Sequence, residues 1–366
     1  MTLTIGSLFA GIGGFDLGFE RAGFKTVWQC EIDKAAQGVL RRWFPDAALH
    51  SDVCEVGAHN LEPVDVVTYG SPCVDLSLAG QRAGLAGERS GLFHEAARII
   101  RELRERYGKP DFAIWENVPG AFSSNQGRDF AAVIDALADI GARDIAWRVL
   151  DSRFFGVAQR RRRVFLVASF GNDRGASEVL FEQESGDGSP SQSGAKDASA
   201  FARSDETVSG IKCLEHDCDW DVCGCFCADD TRCPWCDEWT SGLYYNAEQD
   251  GLSCCKAWFR KTCGTLSDGA HMGGGTNGQD AISGRVIVDN HGIPRRLTPV
   301  ECSRLQGFPD DWNSEGIDKT GKRIQIADGP RYRQLGNAVT VNVANWIANN
   351  LAAVYAAPKE SADGEP

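Results

Sequence analysis

At 366 residues, with 42% hydrophobic and 24% charged residues, the chain has a globular composition and the length for two domains. Its apolar runs fall far short of a membrane span, and MTLTIGSLF has no basic stretch before an apolar core. No membrane association, anchor or secretory signal is therefore expected, and a cytoplasmic location is. The net charge of -13 disfavours a nucleic-acid partner only until it is mapped: residues 172–290 hold 9 Lys and Arg against 21 Asp and Glu, the rest 29 against 30.

In chain order, residues 1–170 alternate apolar strand-like runs with amphipathic helical stretches, the pattern of a parallel sheet built from βαβ units. LTIGSLF (3–9) reads as the first strand and runs into the glycine-rich turn of SLFAGIGGF. Gly11, Gly13 and Gly14 let the backbone turn tightly and approach a ligand, and the following helix offers free N–H groups. TVWQCE (26–31) is the second strand. Its last residue, Glu31, stands 20 residues after Gly11, where an α/β nucleotide fold places its ribose ligand. DKAAQGVLRRWF (33–44) is a helix with Asp33 placed to cap it.

VDVVTYG (64–70) is a buried strand that delivers Cys73, in GSPCVDLSLAG, just beyond its carboxyl end, the ligand-binding edge of open α/β sheets. Read alone, Cys73 is equally a small buried hydrophobe. HEAARIIRELRERY (94–107) is helical, DFAIWEN (111–117) is a strand ending in Glu116, and RVFLVASF (163–170) is another strand. ESGDGSPSQSGAKDASA (184–200) has the composition of a linker. Ten of the 14 cysteines follow in residues 213–263, then the glycine-rich GAHMGGGTNGQD (269–280). Order is expected to return at Pro294, with a last helix over 341–356 and a disordered tail at 358–366.

FAGIGG, Pro72-Cys73, Glu116-Asn117-Val118, QRRRR (159–163), RRLTPVECSRLQGFP (295–309) and QLGNAV (334–339) occur in this order. Together they resemble the motif series of the cytosine-C5 DNA methyltransferases of bacteria and phages. The resemblance covers residues 3 to about 170 and 294–352. It implies a Rossmann-like α/β domain that uses S-adenosyl-L-methionine as methyl donor, with a smaller target-recognition domain. By resemblance, Phe9 packs on the adenine and Ala10, Gly11, Ile12, Gly13 and Gly14 receive the methionine part. Glu31 takes the ribose hydroxyls beside Ile32, Asp52 meets the adenine amine, and Leu92 and Pro72 line the same pocket. Asn337 and Ala338 bring the C-terminal motif back to the donor.

The same resemblance makes Cys73 the nucleophile that adds to cytosine C6, which turns an unreactive C5 into an enamine carbon. Glu116 would hold N3 and the exocyclic amine. Of Arg161 and Arg163, one would reach the base oxygen and the other position the cysteine loop or a phosphate. The target carbon is inaccessible in a duplex, so the cytosine must flip out. Two positions depart from the family pattern: Val74 replaces a frequent glutamine and Ser7 a frequent aspartate.

The implied division is a catalytic domain over 1–171 completed by 328–357, a recognition domain over 172–293, and a hinge with its motif over 294–327. Within the recognition domain, Cys213, Cys218, Cys223, Cys225, Cys227, Cys233 and Cys236 crowd around a CPWC of zinc-ligand spacing. A structural zinc is expected there, its four-ligand set open. The expected partners are double-stranded DNA and a cognate restriction endonuclease, with the protein a monomer. A tRNA-directed cytosine methyltransferase would share these motifs. A catalytically silent DNA-binding regulator would lack Cys73 or Glu116.

Overall fold

The computed structural model describes residues 2–71, 91–171, 175–181 and 294–357, and the backbone of short strands at 244–246, 251–253, 258–260 and 286–288. The linker, the clustered cysteines at 213–236, the glycine-rich stretch and the tail lie outside the described residues, as do Pro72, Cys73 and Val74.

The first part of the chain runs β1 (Thr4–Leu8), α1 (Gly14–Arg21), β2 (Lys25–Cys30), α2 (Lys34–Trp43), β3 (Ala48–His50) and β4 (Val66–Tyr69). It continues with α3 (Gly91–Tyr107), β5 (Phe112–Asn117), α4 (Arg128–Asp139), β6 (Asp144–Asp151) and β7 (Arg162–Ser169). These strands form one sheet in the order β3-β2-β1-β4-β5-β7-β6. β3, β2, β1, β4 and β5 pair in parallel, whereas β7 runs antiparallel to both β5 and β6. The order reverses between β1 and β4, which opens a crevice at their carboxyl ends.

The chain then forms α5 (Ala176–Leu180), the antiparallel strands β8 (Tyr244–Asn246), β9 (Gly251–Ser253) and β10 (Trp258–Arg260), and β11 (Val286–Val288) paired with β12 (Pro294–Arg296). It closes with α6 (Pro299–Leu305), the hairpin β13 (Glu315–Ile317) and β14 (Arg323–Gln325), α7 (Asp328–Asn337) and α8 (Val341–Ala356).

The sheet is covered on both faces because its central strands are apolar throughout. α3 and α4 bury Phe93, Ile99, Phe130 and Val133 against one face. α1, α5 and α8 bury Phe19, Val179, Ile347 and Leu351 against the other. α8 can lie on α1 because Gly18 has no side chain: a Cβ there would stand 2.6 Å from that of Ala344. The terminal helix is thus part of the same core as the first.

A third buried cluster joins Ile12, Val39, Leu40 and Phe44 to Leu297, Cys302, Phe308, Trp312, Ile326 and Leu335. Leu297, Cys302, Phe308, Trp312 and Ile326 of the segment expected as a hinge, 294–327, thus share a buried cluster with α2 and the glycine-rich loop. The reason is its apolar content, which α2 and the glycine-rich loop cover. α6 begins with a capping box: Thr298 Oγ1 accepts from the Glu301 N–H, and Glu301 Oε2 accepts from the Thr298 N–H.

Candidate active site

Strand register brings the expected residues to one edge. Leu8 pairs with Cys30 and Tyr69, Cys30 with His50, and Tyr69 with Trp115. Phe9, Glu31 and Gly70, just past their strands, therefore lie level with Glu116 near the end of β5, and Asp52 follows two residues after β3.

The loop after β1 is built on left-handed residues, Phe9 (φ 54), Gly11 (φ 57) and Gly13 (φ 82). The Gly13 N–H bonds back to the Ala10 carbonyl, and the Ala10 N–H reaches the Cys30 carbonyl on β2. Glu31 fixes the loop's mouth: Oε2 accepts from the Gly11 N–H at 2.7 Å and Oε1 from the Asp33 N–H at 2.8 Å. Burial raises its carboxyl above the usual range, and these N–H groups pull it back. Among the described residues, chain neighbours aside, no atom lies within 4 Å of where a Gly11 Cβ would stand. Ile32, an apolar side chain, is 74% exposed beside it. An oriented carboxylate, open backbone and an apolar side chain suit a nucleoside with a vicinal diol.

The other expected residues fall differently. The Ile12 side chain is core, so only its backbone can meet a ligand. Asp52 accepts from the Cys54 N–H at 2.9 Å, Leu92 is half-buried at the start of α3, Asn337 is exposed at the end of α7, and Ala338 is buried.

At the neighbouring strands, Ser71 is held from β5: Trp115 Nε1 donates to its Oγ at 3.2 Å and Asn117 Nδ2 to its carbonyl at 3.4 Å. Ser71, which precedes Pro72, is thus anchored on both its hydroxyl and its carbonyl. Glu116 projects beside Gly70, where a Cβ would lie 3.2 Å from Glu116 Oε2. Arg163 Nε stands 3.1 Å from Glu116 Oε1, yet that oxygen is buried and accepts no aligned hydrogen bond among the described residues. The carboxylate is charge-paired and still has acceptor capacity.

Arg161 is fully buried. Its Nη1 donates to the Gly336 carbonyl at 3.1 Å and Nη2 to the Ala338 carbonyl at 2.9 Å, tying β7 to the C-terminal motif. Gln306 reinforces this junction, donating to the Leu335 carbonyl and accepting from Thr340 Oγ1. Gly70, Ser71 and Gln306 went unnoticed as site residues in the sequence. Their only local signal is that each lies inside a motif, GSPC or LQGFP.

Ser7, at the position where the family often has aspartate, donates to buried Asp16 at 2.9 Å and bonds Thr68 at 3.0 Å. A carboxyl group is thus present beneath the loop, supplied by α1 instead of β1. Among the described residues no group of three or more His, Cys, Asp or Glu could hold a metal, and no helix is long and apolar enough to cross a membrane. All seven candidate zinc cysteines lie outside those residues.

Residues 3–212 and 243–353 match the model of the family described as C-5 cytosine-specific DNA methylase. The unmatched stretch, 213–242, contains the whole of Cys213 to Cys236. The Type II methyltransferase M2.BsuMI of Bacillus subtilis (strain 168) is 31% identical over 349 residues, 94% of this chain and 74% of that protein. A protein of Escherichia phage P1 named DNA N-6-adenine-methyltransferase is 26% identical over 484 residues; the match takes in 99% of this chain but 62% of that protein. Among solved structures, the S. pombe Dnmt2 methyltransferase superposes with a TM-score of 0.56 at 17% identity, covering 96% of this chain and 99% of the other, a likeness of fold. With its doubly wound sheet, its anchored glycine-rich loop and a family match over most of its length, the chain belongs to the C-5 cytosine-specific DNA methylases, the S-adenosylmethionine-dependent enzymes that methylate cytosine C5 in DNA.

Proposed function

We propose that Cys73 is the covalent nucleophile of this methyltransferase and that Glu116, paired with Arg163, activates the flipped cytosine. The observation that carries this reading is Glu116 Oε1, buried, 3.1 Å from Arg163 Nε and without an aligned donor among the described residues. A buried carboxylate with unused acceptor capacity suits the N3–H and exocyclic amine of a protonated cytosine. The Cys73 thiolate forms the bond to C6, the ring electrons move to C5, and Glu116 steadies the proton at N3. S-adenosylmethionine supplies the electrophilic methyl group. Loss of the C5 proton and expulsion of the thiolate then restore aromaticity and free the enzyme. Arg163 orients Glu116 and lies within reach of the base oxygen, while Arg161 braces the floor.

On the same reading Glu31 receives the ribose hydroxyls and Ile32 and Phe9 flank the adenine. Asp52, Pro72 and Leu92 complete that pocket, Ala10 to Gly14 receive the methionine part, and Asn337 and Ala338 close its far side. Residues 172–293 read the DNA sequence, and the cysteine block at 213–236 holds a structural zinc, an insertion on the recognition domain. Its location in a stretch that the family model leaves out supports that view. A cytoplasmic monomer acting beside a restriction endonuclease fits the Type II relative.

The test is a trap. Duplex DNA carrying 5-fluorocytosine should form a stable adduct with the wild-type protein, because fluorine cannot leave C5 as a cation. Cys73→Ala should form none and transfer no methyl, yet bind the donor with less than about 1 kcal/mol change. Methyl transfer by Cys73→Ala would end the covalent reading. Digestion of the labelled product separates 5-methylcytosine from N6-methyladenine.

A further inference from the structure

Besides its internal bond from the Gly13 N–H to the Ala10 carbonyl, the glycine-rich loop is held by residues outside it. Three of its residues are left-handed, and one of these, Phe9, carries a side chain that disfavours that conformation. Glu31 and the Cys30 carbonyl fix its front. Its back is held by a residue almost the whole chain away: Trp312 Nε1 donates to the Ile12 carbonyl at 2.8 Å.

Trp312 is itself immobilised. Its ring stacks on Trp43 with centroids 4.5 Å apart and planes 7° from parallel, and meets the edge of Phe44 at 5.9 Å. Its carbonyl accepts from Trp43 Nε1 at 2.8 Å. On one side Asp311 pairs with Arg42 at 2.8 Å, and on the other Asn313 bonds Gln334 at 3.1 Å. The loop rests on this aromatic group: a Cβ on Gly13 would stand 2.6 Å from the Phe44 ring. A buried indole N–H requires some acceptor. Here the acceptor is the middle carbonyl of the loop that faces the donor pocket.

We propose that Trp312 is a positioning residue for methyl-donor binding, its indole N–H holding the Ala10–Gly14 loop in the geometry that receives S-adenosylmethionine. The proposal rests on reading that loop as the donor site. With the N–H removed, the Ile12 carbonyl is left buried and unpaired, and the free loop relaxes away from the binding geometry. Donor binding must then restore it, so the loss appears in affinity and not in the chemical step.

The experiment uses full-length Trp312→Phe, which keeps an aromatic ring and loses the donor group. Calorimetric titration should show S-adenosylmethionine bound about tenfold more weakly. KM for the donor should rise in step, with kcat at saturation within about twofold of wild type. Trp43→Phe removes an indole N–H from the same cluster without touching the loop, and should leave donor affinity within about twofold. Unchanged affinity in Trp312→Phe, or an equal loss in Trp43→Phe, would overturn the proposal. If Trp312→Phe does not fold, wild-type protein decides: solvent exchange of the Trp312 indole N–H should slow about tenfold on adding donor, and no slowing overturns the idea. Glu31→Ala separates the underlying reading. Weak donor binding there with normal binding in Trp312→Phe defeats this inference alone, whereas normal binding in Glu31→Ala defeats the assignment of the loop.

Discussion

Gly70→Ala is the sharpest probe of the proposed catalytic carboxylate, because it adds one methyl group next to Glu116 and nothing else. Gly70 has no positive φ, so the backbone accepts alanine. The new Cβ would stand 3.2 Å from Glu116 Oε2 and 3.7 Å from the Glu116 carbonyl, a few tenths of an ångström too near the carboxylate. Glu116 cannot yield through its backbone, which is paired on one side through Tyr69 and Trp115 and on the other with Phe165. The side chain must rotate, and its 3.1 Å pairing with Arg163 is disturbed. A misplacement of about 1 Å can reduce rates about a hundredfold. A shift of a few tenths should therefore lower kcat about tenfold, or about 1.4 kcal/mol of transition-state stabilisation. Stability should barely move, since the reduced entropy of the unfolded chain contributes about 0.4–1 kcal/mol in favour of alanine and offsets the contact. Labelled-methyl transfer at saturating donor and DNA, measured beside the thermal midpoint, separates the two. Wild-type kcat, or a loss of rate that merely follows a loss of stability, would refute the reasoning.

Glu31→Ala removes both the proposed ribose acceptor and the anchor of the Gly11 N–H. Donor affinity should fall about ten- to a hundredfold with DNA binding unchanged, and an unaltered dissociation constant would misplace the pocket. Asp16 is pushed from 3.8 up to about 6 by burial, so the native state binds this proton more tightly than the unfolded chain. Its contribution to stability is complete below about pH 3.8 and is lost as pH rises through about 6, up to about 3 kcal/mol. Asp16→Asn stays neutral, so unfolding midpoints should show it gaining on wild type between about pH 4 and 7; a difference independent of pH would sink this account. Chelator treatment should lower the melting temperature and weaken DNA binding while donor binding survives. Less than about half an equivalent of zinc in purified protein, with full activity after chelation, would retire the metal.

Local elements and their chemistry are legible in the sequence. The five apolar runs expected as strands are β1, β2, β4, β5 and β7, each within a residue or two at either end. Asp33 caps α2 through the Ala36 N–H as its position implied. These features are legible because they depend on periodicity and on neighbours within one turn. β3 was too short to register, and β6 is an edge strand whose Trp147 is exposed, so its pattern is not that of a buried run. The motif series carried the family, and with it the expected roles of Glu31, Cys73 and Glu116. Folding in three dimensions put Ile12 in the core, packed Leu297, Cys302, Phe308, Trp312 and Ile326 against it and α2, and leaned Ser7 on a carboxyl from α1. Only it set Gly70 against Glu116 and Trp312 against Ile12. Such contacts join residues 46 and 300 positions apart. No local pattern encodes them, because they arise from the order of strands in the sheet and from which apolar faces bury one another.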